Sequence, residues 1–265
     1  MKTFERRRLP LAITILTSIN VITGTVITGA LTNGAFAKEN KTKPATVSSP
    51  TATSPTATST APLAADAALT ALKQGNQRFV KEEIRNGGNS KSDVQRLASG
   101  QAPSSIVLSC SDSRVPPETV FDQKLGEVFA VRTAGETLSP QAIASIEFAI
   151  AKLGSHLVVV LGHTNCGAVK ASVETIKGGD AGSPSLNQLV SDIHPNIRSV
   201  LQAEGPSKDL EQESWANAIG IARALPLKSK IIGEAVKAGK VKVAVGLYNL
   251  ATGNVQFKDL IGEGN

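Results

Sequence analysis

The stretch HLVVVLGH, residues 156–163, runs directly into TNCGAVKASVETIK, residues 164–177. The first part is apolar almost without interruption, where a half-exposed strand would alternate. Such a run is expected of a parallel strand covered on both faces. The second part reads as a helix ending at Gly178-Gly179, so the pair forms a strand-turn-helix unit. Working outward, Ser104–Cys110 (SSIVLSC) and Val128–Arg132 repeat the strand signal. Ser139-Pro140 opens another helix, with Ser as N-cap and Pro in the first turn. Its apolar positions Ile143, Ile146, Phe148, Ala149 and Ile150 predict a largely buried helix. Helices are also predicted over 185–204, 209–224 and Lys228–Ala238. Val241–Leu247 is a strand that Thr252-Gly253-Asn254 turns back into Val255–Lys258 as an edge hairpin. Strands that alternate with helices predict an α/β fold: a mainly parallel β-sheet flanked by helices.

Upstream, Ala67, Ala68, Leu69, Ala71 and Leu72 give one apolar helical face, which forms an N-terminal helical arm ending at Gly75-Asn76. A short helix is expected over 92–99. The folded domain is therefore placed at 63–265. Residues 38–62 are mostly Thr, Ser, Pro, Ala and Lys, with SPTAT in tandem at 49–53 and 54–58. That composition offers too little apolar surface to offset ordering entropy and predicts a disordered linker. Residues 1–37 have a basic start, an apolar stretch from Leu9 to about Leu31 and the small-residue pattern Ala35-Phe36-Ala37. These are the marks of a signal peptide cleaved after Ala37. An uncleaved membrane anchor is the alternative, and Arg6-Arg7 allows twin-arginine export. The expected destination is the periplasm or extracellular space, or a thylakoid lumen in a photosynthetic bacterium.

The net charge is +6 over 265 residues, and Lys2, Arg6, Arg7 and Arg8 against Glu5 account for half of it. The remainder shows no basic cluster, and aromatic residues are only 3%. Neither an electrostatic footprint for nucleic acid nor a stacking platform for single strands is present.

Chemistry concentrates in two short motifs, Cys110-Ser111-Asp112-Ser113-Arg114 and His163-Thr164-Asn165-Cys166-Gly167. Each follows an apolar strand, and ligand sites in open α/β sheets form at the carboxyl ends of strands. Cys110, His163 and Cys166 offer two thiolates and an imidazole, a donor set that favours zinc and leaves a fourth position open. Asp112 would either fill that position or pair with Arg114, leaving the metal open. A Cys110–Cys166 disulfide is the structural rival. His156 and His194 have no companion ligands and are read as structural or surface residues.

At these motifs the sequence resembles the β-carbonic anhydrases. Gly75-Asn76-Gln77-Arg78-Phe79, Gly126–Phe129 with Val131-Arg132, and VGLYNLATGNV at 245–255 extend the likeness over about residues 66–259. The resemblance implies zinc on Cys110, His163 and Cys166, with Asp112 and Arg114 as a catalytic dyad. It also implies that Gln101 and the backbone N–H of Gly167 contact substrate. Carbon dioxide and bicarbonate would be the ligands, and a homodimer or higher homo-oligomer the assembly. Two further readings stand beside this one: hydrolysis of an analogue such as carbon disulfide, and a non-catalytic exported zinc module. The chain departs from the family at Thr133 and Glu136, where Asn is frequent, and Glu136 is expected to add negative charge near the site. Trp215 and Tyr248 lie far along the chain, which argues for a constitutively open subtype.

Overall fold

The computed structural model describes residues 61–261, with the side chains of 259–261 left aside. The expectations for the leader and for residues 38–60 fall outside the described residues. Five strands form one sheet: β1 (Ser105–Cys110), β2 (Val128–Thr133), β3 (Leu157–His163), β4 (Lys242–Tyr248) and β5 (Val255–Ile261). Their spatial order is β2-β1-β3-β4-β5, with the first four parallel and β5 antiparallel to β4. The α/β architecture with a C-terminal edge hairpin is thus the one the strand pattern predicts.

Among the described residues, eight α-helices surround the sheet: α1 (Ala65–Val80), α2 (Lys91–Leu97), α3 (Pro117–Val120), α4 (Pro140–Leu153), α5 (Gly167–Thr175), α6 (Pro184–Glu204), α7 (Glu211–Lys228) and α8 (Lys230–Lys237). β1 and β3 are buried along their whole length. Alternate residues serve opposite layers. Ile106, Leu108, Val158 and Val160 pack with Ile146, Ala218 and Leu225 from α4 and α7. Val107, Leu157, Val159 and Leu161 pack with Leu72, Val120 and Phe121 on the α1 and α3 side. Full burial of each such side chain stabilises the fold by about 1.5–3 kcal/mol. That gain explains why the two central strands carry no polar alternation.

The structure departs from the sequence reading at three points. α1 does not end at Gly75-Asn76 but continues to Val80. Gly75 is there for close approach, since a Cβ at this position would stand 1.8 Å from the Phe121 carbonyl oxygen. Asn76 is only 2% exposed. Its side chain donates to the carbonyls of Val120 (3.0 Å) and Gly253 (2.9 Å) and accepts from the Val255 N–H (2.8 Å). It ties the arm to the C-terminal hairpin. Second, α4 is amphipathic: only Ala142, Ile146 and Ala149 are buried, and Phe148 is half-exposed against Phe129 of the edge strand β2. Third, the short α3 was not anticipated, because four residues after a proline carry no periodic signal. The Ser139 cap is present, with its hydroxyl accepting from the Ala142 N–H at 3.1 Å.

The chain leaves β1 for β2 on one side and returns to place β3 on the other. The crevice at the carboxyl ends of β1 and β3 is therefore the topological switch point, where open α/β sheets form their sites. Cys110 ends β1 and His163 ends β3. Among the described residues, no helix is long and apolar enough to cross a membrane.

Candidate metal centre

Three side chains converge at the switch point. One ligand atom from each of Cys110, His163 and Cys166 lies within 4.8 Å of the other two, and all three residues are buried. Cys166 arrives by a tight turn: Asn165 adopts a left-handed backbone (φ 53°), and Cys166 is the residue preceding α5. The Asn165 N–H donates to the Asp209 carbonyl at 2.7 Å, and Leu210 packs against the two cysteines and Val169. Both cysteines are free thiols.

His163 sets its own tautomer. Nδ1 lies 2.9 Å from the Thr164 carbonyl oxygen, so it carries the proton and donates. Nε2 is left buried with no hydrogen-bond partner. A buried imidazole nitrogen facing two thiols, with its other nitrogen fixed by a carbonyl, fits the way histidine ligates metal. The residues present therefore fit a zinc ion in both donor type and arrangement. The thiols share a proton unequally. Cys110 is drawn far down, first by the hydrogen bond from Cys166 and also by two backbone N–H groups, while Cys166 as the donor is pushed up. Those N–H groups, of Asp112 and Gly135, each lie 3.4 Å from Cys110 Sγ.

Asp112 is paired with Arg114, the second of the two alternatives that the sequence leaves open. Arg114 takes up both carboxylate oxygens, Nε to Oδ1 at 2.9 Å and Nη2 to Oδ2 at 2.7 Å, and the Arg114 N–H adds a third bond at 3.0 Å. Oδ2 is still 4.0 Å from His163 Nε2, so the carboxylate borders the cluster without joining it. The Arg114 bonds hold Asp112 well below the usual carboxylate range, so it is ionised at any working pH. Gly167, exposed, opens α5 directly after Cys166.

Gln101 is not brought to the cluster. It is exposed and precedes β1, whereas the cluster lies beyond the carboxyl end of that strand. Strand direction alone separates the two within one chain. Glu136 also departs from expectation. It is 1% exposed, and burial, followed by the nearby Cys110 charge, pushes its carboxyl up to about 8. It is therefore largely a neutral acid at neutral pH. Oε1 accepts from Asn217 Nδ2 at 2.9 Å, and Oε2 is buried without a partner. Tyr248, distant in sequence, is the register partner of His163 across β3 and β4, so sequence separation was no guide to its place. Thr133 closes the turn that carries Glu136, its hydroxyl donating to the Thr137 carbonyl at 2.8 Å. His156 and His194 make tertiary links, to the Leu63 carbonyl and to Ser172 and Thr175, away from the cluster.

One residue at the site had no assigned role in the sequence. Arg132 on β2 donates from Nε to the Cys110 carbonyl (3.1 Å) and from Nη2 to the Asp112 carbonyl (2.7 Å), clamping the backbone of the first motif. Its sequence signals are its place on a strand that turns out to flank β1 and its part in the family likeness at Val131-Arg132.

Comparison with known proteins is consistent with this geometry. Residues 105–255 match the family model described as "Carbonic anhydrase". Carbonic anhydrase 2 of Mycobacterium tuberculosis is 35% identical, over 74% of this chain and 94% of that protein. The carbonic anhydrase of Mycolicibacterium smegmatis is 36% identical, over 74% and 95%. Among solved structures, the β-carbonic anhydrase CafA of Aspergillus fumigatus superposes with a TM-score of 0.56 at 26% identity, covering 73% of this chain and 90% of that one.

Proposed function

The chain belongs to the β-class carbonic anhydrases and so catalyses the hydration of carbon dioxide; from that premise we propose that it works with zinc held by Cys110, His163 and Cys166. The observation that carries the zinc reading is the buried, unpartnered Nε2 of His163 beside two free thiols. When bound, the ion supplies the Lewis acidity that makes water a competent nucleophile near neutral pH.

The chain's own residues do the rest. Asp112, kept ionised by Arg114, accepts a hydrogen bond from the attacking water and orients its lone pair toward carbon dioxide. The Gly167 N–H donates to the carboxylate that develops. Arg132 and the Asn165 turn hold the two motifs in register, so little reorganisation accompanies the reaction. No feature of the site favours the carbon disulfide or non-catalytic readings, and the dyad at Asp112 and Arg114 would be idle in a module that only binds metal.

Gln101 takes part through a second copy of the chain, because its own strand carries it to the far end. A homodimer or larger homo-oligomer follows. The test is complementation: Gln101→Ala and Asp112→Ala are each inactive alone, and co-assembled they regain part of the activity at the one site with both residues intact. No recovery in verified mixed oligomers would remove Gln101 from the mechanism.

We also propose export, with residues 1–37 as a cleaved leader and 38–62 as a spacer before the domain at 63–265. N-terminal sequencing of the exported protein should begin at Lys38; retention of the leader would make it an anchor. The zinc reading itself is tested by elemental analysis of the purified chain. About one zinc per chain, lost in His163→Ala, is expected; a stoichiometric metal of another kind would overturn it.

A further inference from the structure

Glu136 is a fully buried carboxyl that the mechanism above does not use. Its setting is unusual in three respects. Its backbone is left-handed (φ 45°), which non-glycine residues avoid at a cost of roughly 1–3 kcal/mol unless the surroundings enforce it. Its neighbour Gly135 is left-handed too (φ 61°), and a Cβ there would stand 2.8 Å from Ile193 and 3.0 Å from Ala168. Finally, Asn217, completely buried on α7, grips both residues, with Nδ2 donating to the Gly135 carbonyl and to Glu136 Oε1, each at 2.9 Å.

The grip extends in both directions. Behind Asn217, Asn196 of α6 donates to its Oδ1 at 3.0 Å, which fixes the orientation of the amide. A Cβ on Gly220 would stand 2.2 Å from Asn196 Oδ1, so the close packing of α6 on α7 is part of the same arrangement. In front, the Gly135 N–H reaches Cys110 Sγ at 3.4 Å. A hydrogen-bonded chain therefore runs from α6 through α7 to the turn after β2 and ends on a sulfur of the metal centre.

We propose that Asn217 and Glu136 are positioning residues for the metal centre, holding the 134–136 turn so that the Gly135 N–H stays on Cys110 Sγ. The proposal rests on the reading that Cys110 ligates a metal. An N–H donor on a ligating sulfur withdraws charge from it and fixes its direction. Partners of this kind change metal affinity or activity by about 10- to 100-fold when removed. Buried networks of this sort act as a unit, so removing the middle member should release both ends.

The experiment uses the full chain loaded with cobalt(II), whose thiolate charge-transfer absorption reports the metal–sulfur bond without reference to turnover. Wild type, Asn217→Ala, Asn196→Ala, Glu136→Ala and Glu136→Gln are compared by absorption and by competition with a chelator. Asn217→Ala and Glu136→Ala should shift the charge-transfer band and weaken cobalt retention by about 10- to 100-fold. Glu136→Gln keeps the acceptor for Asn217 and should stay near wild type, which a role in charge alone would not produce. If Asn217→Ala fails to fold, Asn196→Ala, half-buried at the rim, carries the same test with a smaller shift. Variants that bind cobalt with wild-type spectra and retention would overturn the positioning role while leaving the metal reading intact. A wild-type chain that takes up no cobalt or zinc would overturn the metal reading first and this proposal with it.

Discussion

Replacing Asn76 with Ala should destabilise the domain by about 3–5 kcal/mol. The side chain makes three buried hydrogen bonds, to Val120, Gly253 and Val255, at sequence separations of 44, 177 and 179 residues. Truncation removes both donors and the acceptor at once. A buried polar group left without a partner costs about 1–3 kcal/mol, which puts three of them at roughly 3–9 kcal/mol. Water entering the space left by the amide relieves part of that. Alanine's better helix propensity in α1 returns about 0.5 kcal/mol. The remainder is a large fraction of the roughly 5–15 kcal/mol that holds a domain folded. For a chain of this size it lowers Tm by about 10 °C, at about 2–4 °C per kcal/mol. Urea denaturation followed by circular dichroism measures it, and Asn76→Asp, which keeps the acceptor toward Val255 but sets a buried carboxylate oxygen against the Val120 and Gly253 carbonyls, should be at least as destabilising as Ala. A midpoint for Asn76→Ala within about 0.5 kcal/mol of wild type, the range of an ordinary surface change, would refute the idea that this residue joins the arm to the hairpin.

Gly75→Ala should be at least as damaging by a different route, since its Cβ would overlap the Phe121 carbonyl; a soluble variant of normal stability would show that α1 can shift freely. Glu136→Gln should stabilise the metal-free protein increasingly on the alkaline side. The folded carboxyl sits near 8 against an ordinary 4.5, so its stability is fullest below 4.5 and is lost as pH rises toward 8; at about 1.4 kcal/mol per unit the difference reaches a few kcal/mol, and parallel pH–stability curves would contradict it. Arg114→Ala should lower kcat/KM by about 10- to 100-fold with zinc retained, and should raise the acid limb of the pH profile as Asp112 loses the bonds that keep it ionised; zinc loss instead would make Arg114 structural. Activity should rise on the alkaline side, because two thiolates neutralise the ion more than imidazoles do; stopped-flow rates flat from neutral to alkaline pH would count against it.

The sheet was legible because its central strands are buried on both faces, which leaves an apolar run in β1 and β3 that no helix of that length would need. The two motifs were legible for a related reason: each ends such a strand, and the only cysteines of the chain lie in them. What stayed hidden depends on contacts between distant segments. Gly75-Asn76 reads locally as a helix stop, yet one residue is small to admit a carbonyl and the other is polar to bind three backbone groups. Phe148 reads as core by its type but faces outward beside an edge strand. Composition left Asp112 free to ligate or to pair, and in the structure both of its carboxylate oxygens pair with Arg114. Arg132, Asn217 and Leu210 reach the site from β2, α7 and the loop before α7, and no spacing along the chain announces them. Gln101 is close to Cys110 in sequence yet lies before β1, at the opposite end of the strand from the cluster, which only the strand direction reveals.

The most direct test is carbon dioxide hydration by stopped flow on the purified chain, with metal content determined on the same sample under reducing conditions. The account predicts about one zinc per chain, activity that disappears when zinc is removed and returns when it is restored, and an Asp112→Ala variant that keeps its zinc but loses hydration. Stoichiometric zinc with no hydration across neutral and alkaline pH, or full activity in the metal-free chain, would contradict it.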